Sequence, residues 1–191
     1  MDESEFSYEL RIPKERIAVL IGPGGKVKKD IEGETHARLD IDSNEGDVLI
    51  TGADTLGMYS AREVVRAIGR GFNPTVAMLL FHNDYTLEIL NLPDYLGKSK
   101  NKTIRLKGRV IGEGGKTRHL IEEHTETTLS VYGKTIAIIG KIENVRIAKK
   151  AIEDLLSGTP HAAVYRWLEK KRKDLKMLDA QEFMSDSLIK E

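Results

Sequence analysis

The stretch Val19-Leu20-Ile21-Gly22-Pro23-Gly24-Gly25-Lys26 returns later in the chain as Arg109-Val110-Ile111-Gly112-Glu113-Gly114-Gly115-Lys116. The residues beyond each glycine cluster recur as well. Leu49-Ile50-Thr51-Gly52 has its counterpart in Ile138-Ile139-Gly140, and the connector Gly71-Phe72-Asn73-Pro74 in Ser157-Gly158-Thr159-Pro160. Self-similarity at a long, fixed offset points to two copies of one supersecondary unit rather than one large domain. Copies of about 70 to 80 residues each fit the usual size range of small domains.

Working outward from the first cluster, Phe6 to Ile12 alternates, with Phe6, Tyr8, Leu10 and Ile12 on one side, as a strand does. Pro13 then opens a short helix over Lys14 to Leu20, where its missing N–H does no harm. Beyond the glycines a second helix is expected from about Gly25 to Glu32, with Gly33 as its C-terminal cap. Ala37, Leu39 and Ile41 alternate with charged residues and read as a half-buried strand. Ser43-Asn44-Glu45-Gly46 is a turn, and Val48 and Ile50 mark the returning strand. Asp54 suits the N-cap of a long helix whose apolar stripe is Met58, Ala61, Val65 and Ile68. The order is β-α-α-β-β-α. The second copy repeats it from the strand Thr86 to Leu92, with an insertion at Pro93 to Asn101. Its strands hold Leu129 with Val131 and Ile136 with Ile138. Its long helix is expected to bury Ile142, Val145, Ala148, Ile152 and Leu155. A last helix, Ala162 to Lys176, carries Trp167 and Lys170-Lys171-Arg172-Lys173.

A glycine loop between two helices sets backbone N–H groups at a helix start, where the dipole favours an anion. Glycine lets that backbone approach its ligand closely, because no Cβ intervenes. Lys26 and Lys116 follow the two loops directly. Two familiar phosphate loops do not fit. A nucleoside-triphosphatase loop needs Gly-x4-Gly-Lys-Ser/Thr, but Val110 stands at the first glycine of the second copy and Val27 at the hydroxyl of the first. A dinucleotide loop follows a strand and has a third glycine, and neither condition holds.

Composition narrows the field further. Thirty basic side chains balance thirty acidic ones, so any anionic partner must be met by local charge. Residues 11–29 hold six basic side chains and one acidic, and residues 98–118 hold eight and one, the acid being Glu113. Both excesses surround the glycine loops, as phosphate-backbone binding requires. There is no cysteine, and the five histidines lack zinc-ligand spacing. No nucleophile–base pair, cofactor motif, secretory leader or membrane-spanning apolar run is found. The expectation is a non-enzymatic, intracellular protein without metal or cofactor.

The motifs Ile21-Gly22-x-x-Gly25 and Ile111-Gly112-x-x-Gly115, each inside a β-α-α-β-β-α frame, resemble the type I KH domain over roughly residues 6–157. The resemblance implies an α+β fold of two tandem type I KH domains, each a three-stranded antiparallel sheet with helices on one face, plus a C-terminal helix. Expected boundaries are a disordered 1–5, KH units at 6–73 and 85–158, a connector at 74–84, a helix at 159–177 and a flexible tail at 178–191. In that family the GXXG loop clamps about four single-stranded nucleotides by their backbone. This assigns RNA contact to Gly22, Pro23, Gly24, Gly25 and Lys26, and to Gly112, Glu113, Gly114, Gly115 and Lys116. Lys28, Lys29 and Arg118 join them as flanking cations. Lys28 and Arg118 stand where the family pattern has an aliphatic residue, so Val27, Ile31 and Ile121 are expected to form the groove wall. Glu113 would repel phosphate, so the second copy is expected to grip RNA less well or differently.

The phrase Ile12-Pro13-Lys14-Glu15-Arg16-Ile17-Ala18-Val19-Leu20-Ile21-Gly22, with Lys28, Arg118 and the C-terminal helix, is similar to the archaeal counterpart of the "partner of Nob" small-subunit ribosome assembly factors. That similarity implies a cytoplasmic protein that binds the 3′ region of small-subunit rRNA. Its implied partners are the processing endonuclease and the alpha subunit of translation initiation factor two, with no membrane. Two other readings stay open at this point. One is an mRNA regulator or exosome-type subunit; the other is an interaction scaffold whose KH folds have lost RNA binding.

Overall fold

The computed structural model describes residues 6–96 and 100–188, the side chains of residues 96, 100, 175, 176 and 178–188 excepted. The expected N-terminal segment 1–5, the centre of the expected insertion (97–99) and the tail end 189–191 lie outside the described residues. The first copy runs β1 (Phe6–Arg11), α1 (Lys14–Ile21), a 3-10 turn (Pro23–Gly25), α2 (Lys26–Thr35), β2 (Arg38–Ile41), β3 (Asp47–Gly52) and α3 (Thr55–Gly69). A connector follows, α4 (Pro74–Ala77) and a 3-10 turn (Met78–Phe81). The second copy runs β4 (Tyr85–Asn91), α5 (Leu92–Leu96), α6 (Lys100–Ile111), a 3-10 turn (Glu113–Gly115), α7 (Lys116–Thr125), β5 (Thr128–Tyr132), β6 (Thr135–Lys141) and α8 (Ile142–Leu156). Helix α9 (His161–Leu188) closes the chain. Each copy holds a three-stranded antiparallel sheet, ordered β1-β3-β2 and β4-β6-β5. The fold is α+β, two KH domains with a C-terminal helix.

The chain forms two compact units, Met1–Asn91 with Thr128–Ile142, and Leu92–Thr127 with Glu143–Glu191. In the first, Leu39, Val48 and Ile50 of the sheet and Met58, Ala61, Val65 and Ile68 of α3 are fully buried in one core. The other sheet face shows Glu9, Arg11, Arg38 and Asp40 to solvent. Asp54 caps α3 as its sequence position requires, accepting from the N–H groups of Leu56 (3.1 Å) and Gly57 (3.0 Å). The same core takes in Ala137 and Ile139 from β6, beside Phe72, Ala77 and Leu80 of the connector. Ile136 and Ile138, on the opposite face of β6, are buried too. A strand covered on both faces needs a continuous apolar run, and Ile136-Ala137-Ile138-Ile139 supplies it.

Polar contacts join the β5–β6 hairpin to the first copy. Ser130 Oγ donates to the Arg70 carbonyl at 2.8 Å. The Tyr132 hydroxyl donates to Glu15 Oε1, and the Arg16 guanidinium lies 5.9 Å from the Tyr132 ring centroid. This hydrogen bond holds the Glu15 carboxyl below its ordinary range and pushes the Tyr132 phenol up.

Within each unit an arginine ties the glycine-loop helix to the end of the long helix. Arg16 donates through Nε to the Ile68 carbonyl (2.8 Å) and through Nη2 to that of Phe72 (2.5 Å). Arg109 donates to Leu155 (2.9 Å) and Thr159 (2.7 Å). Ile68 and Leu155 are each the penultimate residue of a 15-residue helix, so the acceptors are equivalent. The Ile68 and Leu155 carbonyls are among those that a helix end leaves without intrahelical partners.

Three expectations are corrected. Gly33 does not end α2. The helix continues to Thr35, whose Oγ1 donates back to the Ile31 carbonyl (2.7 Å), and His36 takes the left-handed turn at φ 51°. Glu126 does the same after α7, at φ 52°. Ile142 is not buried; it is the first residue of α8 and 41% exposed. Helix α9 runs past Lys176 to Leu188, through a stretch with no Gly or Pro to stop it.

Left-handed backbone costs an L-residue roughly 1–2 kcal/mol, part of which glycine returns as chain entropy. His36→Gly and Glu126→Gly should therefore each raise unfolding stability by up to about 1 kcal/mol, seen as a higher urea midpoint at unchanged slope. Tyr132→Phe should let the Glu15 carboxyl titrate nearer its ordinary range. An NMR pH titration that found Glu15 unmoved would show the hydrogen bond to be absent in solution.

Candidate nucleic-acid interface

Both glycine loops have the same backbone. Helix α1 ends with the Gly22 N–H bonded to the Ala18 carbonyl (3.0 Å), and the turn closes with Gly25 N–H on the Gly22 carbonyl (3.1 Å). The second loop repeats these bonds, Gly112 to Gly108 (2.8 Å) and Gly115 to Gly112 (3.2 Å). Gly22, Gly24 and Gly25 take φ of 71°, 59° and 76°; Gly112, Gly114 and Gly115 take 75°, 59° and 81°. Three positive φ values in four residues reverse the chain between two helices, and side-chain-bearing residues resist that path.

The glycines divide by what surrounds them. A Cβ on Gly22 would strike the Val27 side chain, and one on Gly112 would strike the side chain and backbone N of Thr117. These two are held by packing. A Cβ on Gly24, Gly25, Gly114 or Gly115 would meet only open space. Those four surfaces are available to a ligand. Neither α2 nor α7 has a side-chain cap at its start, so among the described residues no side chain caps the N–H groups that a helix start leaves over.

The flanking cations sit as follows. Lys26, Lys29, Lys116 and Arg118 are exposed and Lys28 is half-buried. Lys28 Nζ lies 3.9 Å from Glu32 Oε1, and Arg118 Nε lies 3.6 Å from Glu122 Oε2. Among the described residues Lys26, Lys29 and Lys116 make no ion pair. Pro23 and Glu113 are exposed at the loop tips. The expected groove wall does not form as anticipated. Ile31 and Ile121 are 0% exposed and belong to the interior, and Val27 is half-buried beneath Gly22.

Comparison with known proteins agrees with this geometry. The KH domain family matches residues 7–67, and the eukaryotic type KH-domain (KH-domain type I) matches residues 86–173. A KH domain-containing protein of Methanocaldococcus jannaschii is 50% identical over 171 residues, 87% of this chain and 74% of that protein. The RNA-binding protein pno1 of Dictyostelium discoideum is 32% identical over 171 residues, 85% of this chain and 70% of that protein. A crystal structure of an a/eIF2alpha–aDim2p–rRNA complex from Pyrococcus horikoshii matches at 46% identity and a TM-score of 0.84, covering 91% of this chain and 97% of that one. The chain belongs to the tandem KH family of the Pno1 and Dim2 proteins.

Sequence reading missed two concave surfaces, one beside the second loop and one at the start of α1, because their residues are scattered along the chain. A cavity of about 480 Å³ beside the second loop is lined by Arg105, Gly108, Gly112, Lys116 and Tyr165 among others. The Tyr165 and Thr117 hydroxyls share a hydrogen bond of 2.7 Å there, which brings α9 to the start of α7. A cleft of about 540 Å³ in the first unit gathers Arg11, Lys14, Arg62, Arg66 and Arg70 from β1, α1 and α3 with its C-terminal end. The glycine motif marks one wall of the cavity, through Gly112 and Lys116, but no short motif marks the cleft. In the cleft only the spacing of Arg62, Arg66 and Arg70, one helical turn apart, is visible in sequence.

The division of glycines has a direct test. Gly22→Ala and Gly112→Ala should destabilise the fold by about 2–3 kcal/mol, combining left-handed strain with a packed neighbour. Gly24→Ala should cost about 1–2 kcal/mol, the strain alone. Equal losses at Gly22 and Gly24 in thermal unfolding would contradict the packing argument.

Proposed function

We propose that this chain is a non-catalytic, cytoplasmic RNA-binding protein that holds a single-stranded segment of small-subunit rRNA during ribosome assembly. One observation carries the reading. Two loops of identical backbone present glycines into open space, each at an uncapped helix start and beside an exposed lysine without an ion pair among the described residues. Backbone N–H groups and mobile cations together fit a chain of phosphates.

In this reading the clamp at the first copy is Gly22, Pro23, Gly24, Gly25 and Lys26, with Lys28 and Lys29 on the following turn. At the second copy it is Gly112, Glu113, Gly114, Gly115, Lys116 and Arg118. The two KH units, 6–73 and 85–158, act as linked sites on one strand, so the second contact benefits from the effective concentration that the first creates. Glu113 places a negative charge at the tip of the second clamp, which makes the first the stronger grip. The similarity to a protein solved with rRNA and the alpha subunit of initiation factor two supports those same partners for this chain. The processing endonuclease that acts on the rRNA 3′ region is the further partner that the family implies.

The test replaces Pro23-Gly24 and, separately, Glu113-Gly114 by Asp-Asp. Aspartate tolerates the left-handed region better than most residues, which favours retention of the fold. Affinity for an oligonucleotide of the small-subunit rRNA 3′ end should fall, about tenfold or more for the first pair. The slope of log K against log salt should become shallower by about 0.7 for each phosphate that the variant no longer neutralises. Unchanged binding by a folded variant would remove the loops from the mechanism.

A further inference from the structure

The two residues that break the family's aliphatic pattern, Lys28 and Arg118, do not stand alone. Each lies one helical turn before a glutamate on the same face, Glu32 and Glu122, and each reaches it, at 3.9 and 3.6 Å. The same cation–acid pair, at the same spacing, occurs in both copies.

In the first copy the acid has a second contact. Glu32 Oε1 accepts the backbone N–H of Leu39 at 2.8 Å. Leu39 lies on β2, whose neighbour in the sheet is β3 alone. Its N–H therefore points off the free edge of the sheet, and Glu32 reaches across to it from α2. The side chains of Lys28 and Glu32 are 35% and 26% exposed. Glu32 Oε2 makes no hydrogen bond among the described residues. The space between α2 and the free edge of β2 thus holds a fixed carboxylate, with one oxygen bonded to the backbone, and a cation beside it. Glu32 lies seven residues beyond Gly25, about 10 Å along the helix. That places it in reach of a base whose phosphate rests on the loop.

Resting on the RNA-binding reading above, we infer that Lys28 with Glu32, and Arg118 with Glu122, read the base of the clamped strand and favour cytosine or guanine over adenine or uracil. A carboxylate accepts, so it calls for an exocyclic amino group; it is the acceptor suited to the cytosine amine. An ammonium or guanidinium donates, so it calls for a carbonyl oxygen, as at guanine O6. Cytosine and guanine carry both groups. Adenine has the amine and no carbonyl. Uracil has carbonyls and no amine, and its single ring N–H sits between two oxygens that the carboxylate repels. The bond to Leu39 keeps Glu32 from swinging away, so a base lacking either group must intrude on the Lys28–Glu32 pair without replacing both contacts.

The experiment measures the full chain against octamers of cytidine, uridine and adenosine at one salt concentration. The cytidine octamer should bind about tenfold tighter than either of the others, the difference that one good base contact supplies. The double substitution Glu32→Gln with Glu122→Gln keeps an oxygen for Leu39 but removes both charges, and should reduce that preference to less than about threefold. Lys28→Met with Arg118→Met provides the same test from the other partner if the first variant does not fold. The loop variants should weaken all three octamers alike and keep the preference. Equal binding of the three octamers by the unaltered chain, or a preference that survives the substitutions in a folded variant, overturns the inference. Loss of loop dependence would overturn the RNA-binding reading instead, so the two failures are distinct.

Discussion

The structure depends on a steric exclusion at two points, Gly22 against Val27 and Gly112 against Thr117. Each glycine lets the end of one helix come against the start of the next with no side chain between them. That close approach forces the loop through positive φ at its remaining glycines, which turns Gly24, Gly25, Gly114 and Gly115 outward. An outward loop of bare backbone followed by an uncapped helix start follows from one packing decision. The features proposed to bind RNA are therefore a consequence of how the helices pack. This explains why the two loops keep the same dihedral angles while the residue at their tip changes from Pro23 to Glu113.

The same separation of geometry from residue identity is seen in the arginine clamps. When the glycine loops are superposed in sequence, Arg16 matches Leu106 and Arg109 matches Val19. The two arginines come from different turns of their helices, yet both hold the carbonyls of the penultimate residue of the long helix and of the residue four beyond it. What the duplicated fold requires is a charge-assisted donor at that helix end, worth about 1.5–3 kcal/mol per bond. Which residue carries it is free to move. The hairpin contacts at Ser130 and Tyr132 are of another kind, since they join the second sheet to the first copy.

Much of this is legible in the chain itself. The repeated glycine motif, the alternation in the strands and the stripe Met58, Ala61, Val65 and Ile68 follow from periodicities of two and 3.6 residues, and those residues lie where the periods put them. The errors fall where local signals compete. Gly33 looks like a cap because glycine often is one, but Thr35 extends the helix by two residues and His36 accepts the left-handed turn. Ile31 and Ile121 read as groove residues because their helices border it, while the helical phase turns both fully inward. The role of Glu32 is hidden because its partner Leu39 offers a backbone group on another element, and a backbone N–H leaves no mark in sequence. The cleft at Arg62, Arg66 and Arg70 also draws on Arg11 and Lys14, far away in the chain, and so has no motif.

A chain with equal numbers of basic and acidic residues cannot rely on its overall field to gather RNA. Its long-range attraction is weak, and non-specific affinity, which comes almost wholly from neutralised phosphates, is correspondingly low. The acids are also close to the cations that matter: Glu113 within the second loop, Glu32 beside Lys28 and Glu122 beside Arg118. Each of these lowers the attraction for any polyanion. Such an arrangement is costly for a general RNA binder and useful for a selective one, because a strand lacking the matching groups disturbs an existing ion pair and gains nothing in return. Affinity must then be recovered from geometry, and in the proposed function two loops of the same backbone on one chain would supply it by engaging a single strand twice.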